Sequence, residues 1–111
     1  MSAAAWVGVW GIVTENGSTP AENGYRSIVL TLTETSFTSM FDAGVAVCSW
    51  SGPLSSAGGI FTTTVADADG PPCNIALGTT RSAAWSLSNG NSTLTLNWMD
   101  AGGTLQVYAR L

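Results

Sequence analysis

Short runs in which apolar and polar residues alternate follow one another from Trp6 to the end of the chain, each closed by a turn signal. A period of two places successive side chains on opposite faces of an extended backbone, so each run predicts a strand with one face on a core. The first run, Trp6-Val7-Gly8-Val9-Trp10-Gly11-Ile12-Val13, carries Gly-x-Trp at its centre, and the last, Leu105-Gln106-Val107-Tyr108-Ala109-Arg110, ends on an arginine. No segment has helical periodicity.

The runs predict strands over Trp6 to Thr14, Arg26 to Thr33, Phe37 to Phe41, Val45 to Trp50 and Ile60 to Ala66. Ile28, Leu30 and Leu32 share one face of the second, and Ala46, Cys48 and Trp50 one face of the fourth. Ser51 to Gly59, punctuated by Gly and Pro, reads as a flexible connection, as do the polar loop Glu15 to Gly24 and the stretch from Asp67 to about Thr80. The last three strands, Ala83 to Ser88, Thr93 to Trp98 and Thr104 to Leu111, form a meander in which Asn89-Gly90 is a hairpin signal. About eight strands with mostly short antiparallel connections predict a small all-β, eight-stranded up-and-down barrel, which leaves no exposed edge. A two-sheet sandwich is the alternative. Eight strands leave an interior just wide enough for side chains or one small ligand.

The 111 residues read as one domain, 1–111. Only 9% are charged, against roughly 25% in an average soluble protein, so solubility rests on Ser, Thr, Asn and Gly. There is no Lys or His, and Arg26, Arg81 and Arg110 are the only cations in a chain of net charge −4. Three scattered arginines do not supply the clustered charge that a nucleic-acid backbone or an anionic membrane requires. No apolar stretch reaches the roughly 18 residues of a transmembrane helix.

Cys48 and Cys73 fit no zinc spacing, and no His exists to complete one. The favoured reading is a disulfide between them; two buried thiols are the alternative. Closing the loop of about 26 residues would add roughly 3–4 kcal/mol in the chain-entropy model. A disulfide implies an oxidising compartment. Met1-Ser2-Ala3-Ala4-Ala5 reads as a mature terminus behind a new initiator rather than as a signal peptide, so the expected location is secreted, periplasmic or envelope-anchored.

Gly8-x-Trp10 on the first strand, the long loop after it, the succession of hairpins and Arg110 on the last strand together resemble the lipocalin, or calycin, superfamily. The likeness is greatest to the short lipocalin-like domains of bacterial secreted and envelope proteins. The resemblance implies a barrel closed at one end by Trp10, with Arg110 packed over it and Gly8 beside it. It also implies a small hydrophobic ligand inside the barrel. The chain is shorter than full-length lipocalins and lacks their C-terminal helix, which implies a shallower cavity.

Phe37, Phe41, Trp50, Trp85, Trp98 and Tyr108 are the candidate ligand-lining residues. Plain core filling is the competing account, since large aromatics dominate small cores. Asp67-Ala68-Asp69-Gly70 lacks the further oxygen ligands and closing Glu of a calcium loop and reads as a solvated turn. Asn16-Gly17-Ser18 and Asn91-Ser92-Thr93 match glycosylation sequons but lie where turn residues occur anyway. Without His or Lys the commonest catalytic bases are missing, and the seven carboxylates form no obvious pair, so neither an enzyme nor a cofactor is expected. Three functions remain open: carriage of a small hydrophobic ligand; recognition of a protein, as in small-barrel protease inhibitors with Met1 to Ala5 as an inserting arm; and a purely structural envelope role.

Overall fold

In the computed structural model, which describes residues 4–69, 76–99 and 103–111, nine strands follow one another. They are β1 (Gly8–Glu15), β2 (Ser27–Leu32), β3 (Ser36–Asp42), β4 (Val47–Ala57), β5 (Ile60–Thr64), β6 (Asp67–Asp69), β7 (Thr80–Ser88), β8 (Thr93–Trp98) and β9 (Thr104–Arg110). All pairings are antiparallel, and each barrel strand lies beside its neighbours in sequence. Pairing of β1 with β9 and of β3 with β4 closes eight of them into a barrel. The remaining strand, β6, lies on β4.

Alternation builds the core. Ile28, Leu30 and Leu32 from β2, Leu94 and Leu96 from β8, and Tyr108 from β9 all point inward and are buried. Each fully buried aliphatic side chain contributes about 1.5–3 kcal/mol. Trp10, Ala83 and Leu94 are completely enclosed, at 0% exposure. A register shift in β1 between Ile12 and Thr14 leaves Val13 exposed and changes which residues point inward. Trp10 and Ile12 face the core before it, and Glu15 turns toward Gln106 after it.

One expectation about β4 and one about the segment after β5 are corrected. Ser51 to Ala57 is strand, and only Gly58 and Gly59 make the turn into β5. Gly52 marks a close approach rather than a break. A Cβ there would collide with the Thr64 carbonyl, where the chain carrying β5 and β6 bulges across β4. Ser51 pairs with Asp67 and Leu54 with Thr63, so three residues on one side oppose two on the other. Pro53, whose missing N–H would break a central ladder, sits where β4 parts from β3. Asp67 to Asp69, read as part of a solvated turn, are exposed but form strand β6 by pairing with Ser51 to Ser49 of β4; Gly70 lies outside the described residues.

The loop after β1 is held by its own side chains. Thr19 N–H donates to Glu22 Oε1 at 2.8 Å and Glu22 N–H to Thr19 Oγ1 at 3.3 Å, a reciprocal pair of the capping-box kind. The Thr19 backbone N–H, and its hydroxyl after it, hold the Glu22 carboxyl below its usual pKa. Asn23 Nδ2 donates to the carbonyls of Glu15, Ser18 and Thr19, which folds the loop back on the end of β1. Asn89, Gly90 and Asn91 all have positive φ in the four-residue β7–β8 turn, where Asn and Gly carry the smallest steric cost.

Candidate functional site

The barrel has two unlike ends. At the first, the segment from Ala4 to Val7 folds over the opening and drives Trp6 inside. Trp6 packs edge-on against Phe61, with ring centroids 4.9 Å apart, and Phe61 stacks on Trp85 at 5.3 Å. Trp10 Nε1 donates to the Trp6 carbonyl at 2.9 Å, so the buried indole is satisfied by the segment that covers it. Arg110 lies directly across from Trp10 in the β1–β9 register, its guanidinium 4.2 Å over the indole. Its nitrogens donate to three backbone carbonyls: Nη1 to Val7 at 2.9 Å, and Nη2 to Ala5 at 2.6 Å and Asn91 at 3.1 Å. One side chain thus ties the N-terminal segment, the first strand and the β7–β8 turn together.

Gly8 makes this possible. Its φ is +147°, and a Cβ would stand 2.5 Å from Arg110 Nη1. The spacing in Gly8-x-Trp10 therefore has a local cause: the glycine leaves the path by which the arginine reaches over the indole two residues on.

Toward the other end lies a cavity of about 60 Å³. Phe37, Leu54 and Phe61 wall its deep side and are buried; Trp50, Trp98 and Arg81 also line it and are only partly buried. The cavity therefore meets solvent beside the last three. Gln106 organises the polar wall. Its Oε1 accepts from Trp98 Nε1 at 2.7 Å and from the Tyr108 hydroxyl at 2.9 Å, and its Nε2 donates to Glu15 Oε2 at 2.8 Å. The amide is thereby fixed in one orientation, and it fixes the Trp98 ring. Arg81 lies over that ring at 4.2 Å.

Burial pushes the Tyr108 phenol far above its ordinary pKa; Tyr25 and Glu15 add to the shift and Arg81 opposes it. Tyr25, packed on Phe41 at 5.0 Å, is pushed up to about 12 by burial first and by the nearby Glu15 carboxylate second. No hydrogen bond of good geometry reaches the Tyr25 hydroxyl among the described residues.

Of the six aromatic candidates, the structure gathers Phe37, Trp50, Trp98 and Tyr108 on the cavity. Phe41 stands apart against Tyr25, and Trp85 belongs to the closed end, with Nε1 donating to Ser56 Oγ at 3.2 Å. Sequence reasoning passed over Arg81 and Gln106. The signal was present: Arg81 has the parity of Ala83 and Trp85, and Gln106 that of Tyr108, so both point inward. Cys48 is buried, at 3% exposure; Cys73 lies outside the described residues. Among the described residues no helix is long and apolar enough to cross a membrane.

No family model, no curated protein and no solved structure matches the chain.

Proposed function

We propose that this chain is a non-enzymatic, lipocalin-like ligand-binding barrel. It admits one compact, largely apolar molecule through the end opposite its N-terminal plug. The observation that carries this reading is the cavity of about 60 Å³, with Phe37, Leu54 and Trp50 as an apolar wall and Gln106 and Arg81 as a few fixed polar groups. Ligand sites combine concave apolar surface with a small number of oriented polar groups. The size sets the class of ligand. Pockets for drug-sized molecules run to roughly 300–1,000 Å³, so a retinoid or a long fatty acid is too large for this interior. Arg110 over Trp10 supports the lipocalin-like assignment, because it performs the closing role that the resemblance implies.

The same reading places the chain in a secreted, periplasmic or envelope setting, with Cys48 and Cys73 joined. Non-reducing mass spectrometry checks that pairing: the intact mass should be lower by two hydrogens, and two alkylatable thiols in protein purified without reductant would refute it.

Recognition of a protein is the second reading. One observation favours it: Val9, Val13, Leu105 and Leu111 are exposed on the outer wall of β1 and β9 and just beyond it. The inserting-arm version has less support, because the chain from Ala4 onward is bound to its own barrel. The deciding experiment is tryptophan fluorescence titration with a size series from small aromatic and short-chain molecules to palmitate and retinol. The ligand reading expects saturable one-to-one binding of the compact members only. No response across the series would leave protein recognition or a structural role.

A further inference from the structure

We propose that the molecule held in this cavity is a small neutral compound with a single hydroxyl, a phenol or an aromatic alcohol, and that its oxygen bonds to the Ser39 hydroxyl. The inference rests on the ligand-binding reading above and deepens it.

Ser39 occupies an inward position of β3, in phase with buried Phe37, and is itself only 6% exposed. In the ladder it lies between Leu30 of β2 and Trp50 of β4, and all four residues line the cavity. A hydroxyl in such surroundings has lost bulk water and needs a replacement partner. Among the described residues no hydrogen bond of the protein reaches the Ser39 hydroxyl, and it borders the cavity rather than being sealed in as the Tyr25 hydroxyl is. Its partner must therefore come from the contents of the cavity.

The other non-aromatic polar side chains on the wall are already engaged. Gln106 is bonded to Trp98, Tyr108 and Glu15, Thr63 Oγ1 donates to the Arg81 carbonyl at 3.4 Å, and Arg81 has contacts of its own within the protein. An ordered water needs two to four polar partners, whereas the nearest wall around Ser39 is Leu30, Phe37 and the indole of Trp50. One open hydroxyl on an apolar wall matches one oxygen on an apolar body, and because a hydroxyl both donates and accepts, the pair can form in either sense. The match is neutral: a carboxylate bound here would lose more hydration than one hydroxyl replaces. The volume of about 60 Å³ limits the body to a few carbons or one ring.

The test is calorimetric titration with two pairs in which a methyl replaces the hydroxyl, phenol against toluene and benzyl alcohol against ethylbenzene, on the wild-type chain and on Ser39→Ala. Each hydrocarbon has nearly the shape of its partner, so the change in their affinity ratio between the two proteins isolates the hydrogen bond. We expect Ser39→Ala to lower the ratio of hydroxyl-bearing to hydrocarbon affinity by about three- to tenfold, the size of one neutral hydrogen bond. The free variant should melt no lower than the wild type, because no hydrogen bond within the protein is lost. A ratio unchanged in Ser39→Ala would overturn the inference while leaving the ligand-binding reading in place. So would a free variant that melts several degrees lower, since the hydroxyl would then already serve the fold, directly or through an ordered water. Absence of binding by all four molecules would overturn the two together.

Discussion

Arg110 over Trp10 and Arg81 over Trp98 are the same contact made twice, with 4.2 Å from the guanidinium carbon to the ring centroid in both. Their surroundings differ. Trp10 is completely enclosed, its N–H is bound to the backbone of the plug, and its arginine is held by three main-chain carbonyls. Trp98 is only partly buried, its N–H is bound to a side chain, and its arginine lines a cavity. A cation on an indole is thus neutral as to role. Three main-chain partners make one a fastener, and the cavity beside the other makes it part of a wall. The lesson for small barrels is to look at what surrounds the stack, since the stack itself does not separate the two.

The largest effect should fall on the fastener. Trp10→Ala removes a fully enclosed indole and should cost about 3–5 kcal/mol in denaturant unfolding. Trp98→Ala, at the partly buried site, should cost less than half as much. A loss under about 1 kcal/mol for Trp10→Ala, or equal losses for the two, would erase the distinction between the ends.

Gly8→Ala tests the fastener without touching either ring. The new methyl would meet Arg110 Nη1 at 2.5 Å on a backbone of φ +147°. A cost of about 1–3 kcal/mol is expected, together with faster amide exchange at Val7, whose N–H donates to the Ala4 carbonyl in the plug. Unchanged stability and exchange would show that Arg110 does not need the path through Gly8.

The open end should announce itself at alkaline pH. Tyr25 and Tyr108 are the only tyrosines, and both are buried. The unfolded chain ionises its phenols near 10, whereas burial, with the Glu15 carboxylate second, pushes the folded Tyr25 up to about 12. A pKa raised by folding contributes stability that is fully present below the unfolded value and is lost as pH rises through the folded one. Stability should therefore fall across about pH 10 to 12, and Tyr25→Phe should flatten part of that fall. Phenolate absorbance checks it: a tyrosine ionising normally in the folded protein would contradict the placement of these side chains.

Much of the barrel was legible in the chain because alternation is a local signal. Ile28, Leu30 and Leu32 declare their face by spacing alone, and Thr93 to Trp98 is bounded in the structure as it is in the sequence. What escaped depended on contacts between distant segments. Gly52 and Pro53 have the composition of a loop, yet they pair with Phe37 and Ser36 of β3, and the missing Cβ of Gly52 lets the Thr64 carbonyl cross on the other side. Trp6 shares the parity of Trp10 and reads as the first strand, yet it is the plug, because the strand begins at Gly8. At the candidate site the aromatic residues drew attention by type. Phe41 and Trp85 stand elsewhere, whereas Arg81 and Gln106, which residue type does not single out, line the cavity in phase with their buried neighbours. Inward direction could be counted from the sequence; which of the two ends a residue served could not, since that follows from the folding of Ala4 to Val7 over one of them.

The most direct measurement follows the five indole N–H resonances during titration with a compact apolar molecule such as a small aromatic. If the end opposite the plug is the binding end, Trp50 and Trp98 shift saturably with one affinity, while Trp6, Trp10 and Trp85 stay where they are. Shifts confined to the three indoles of the plugged end, or no saturable shift at Trp50 and Trp98, would contradict the account.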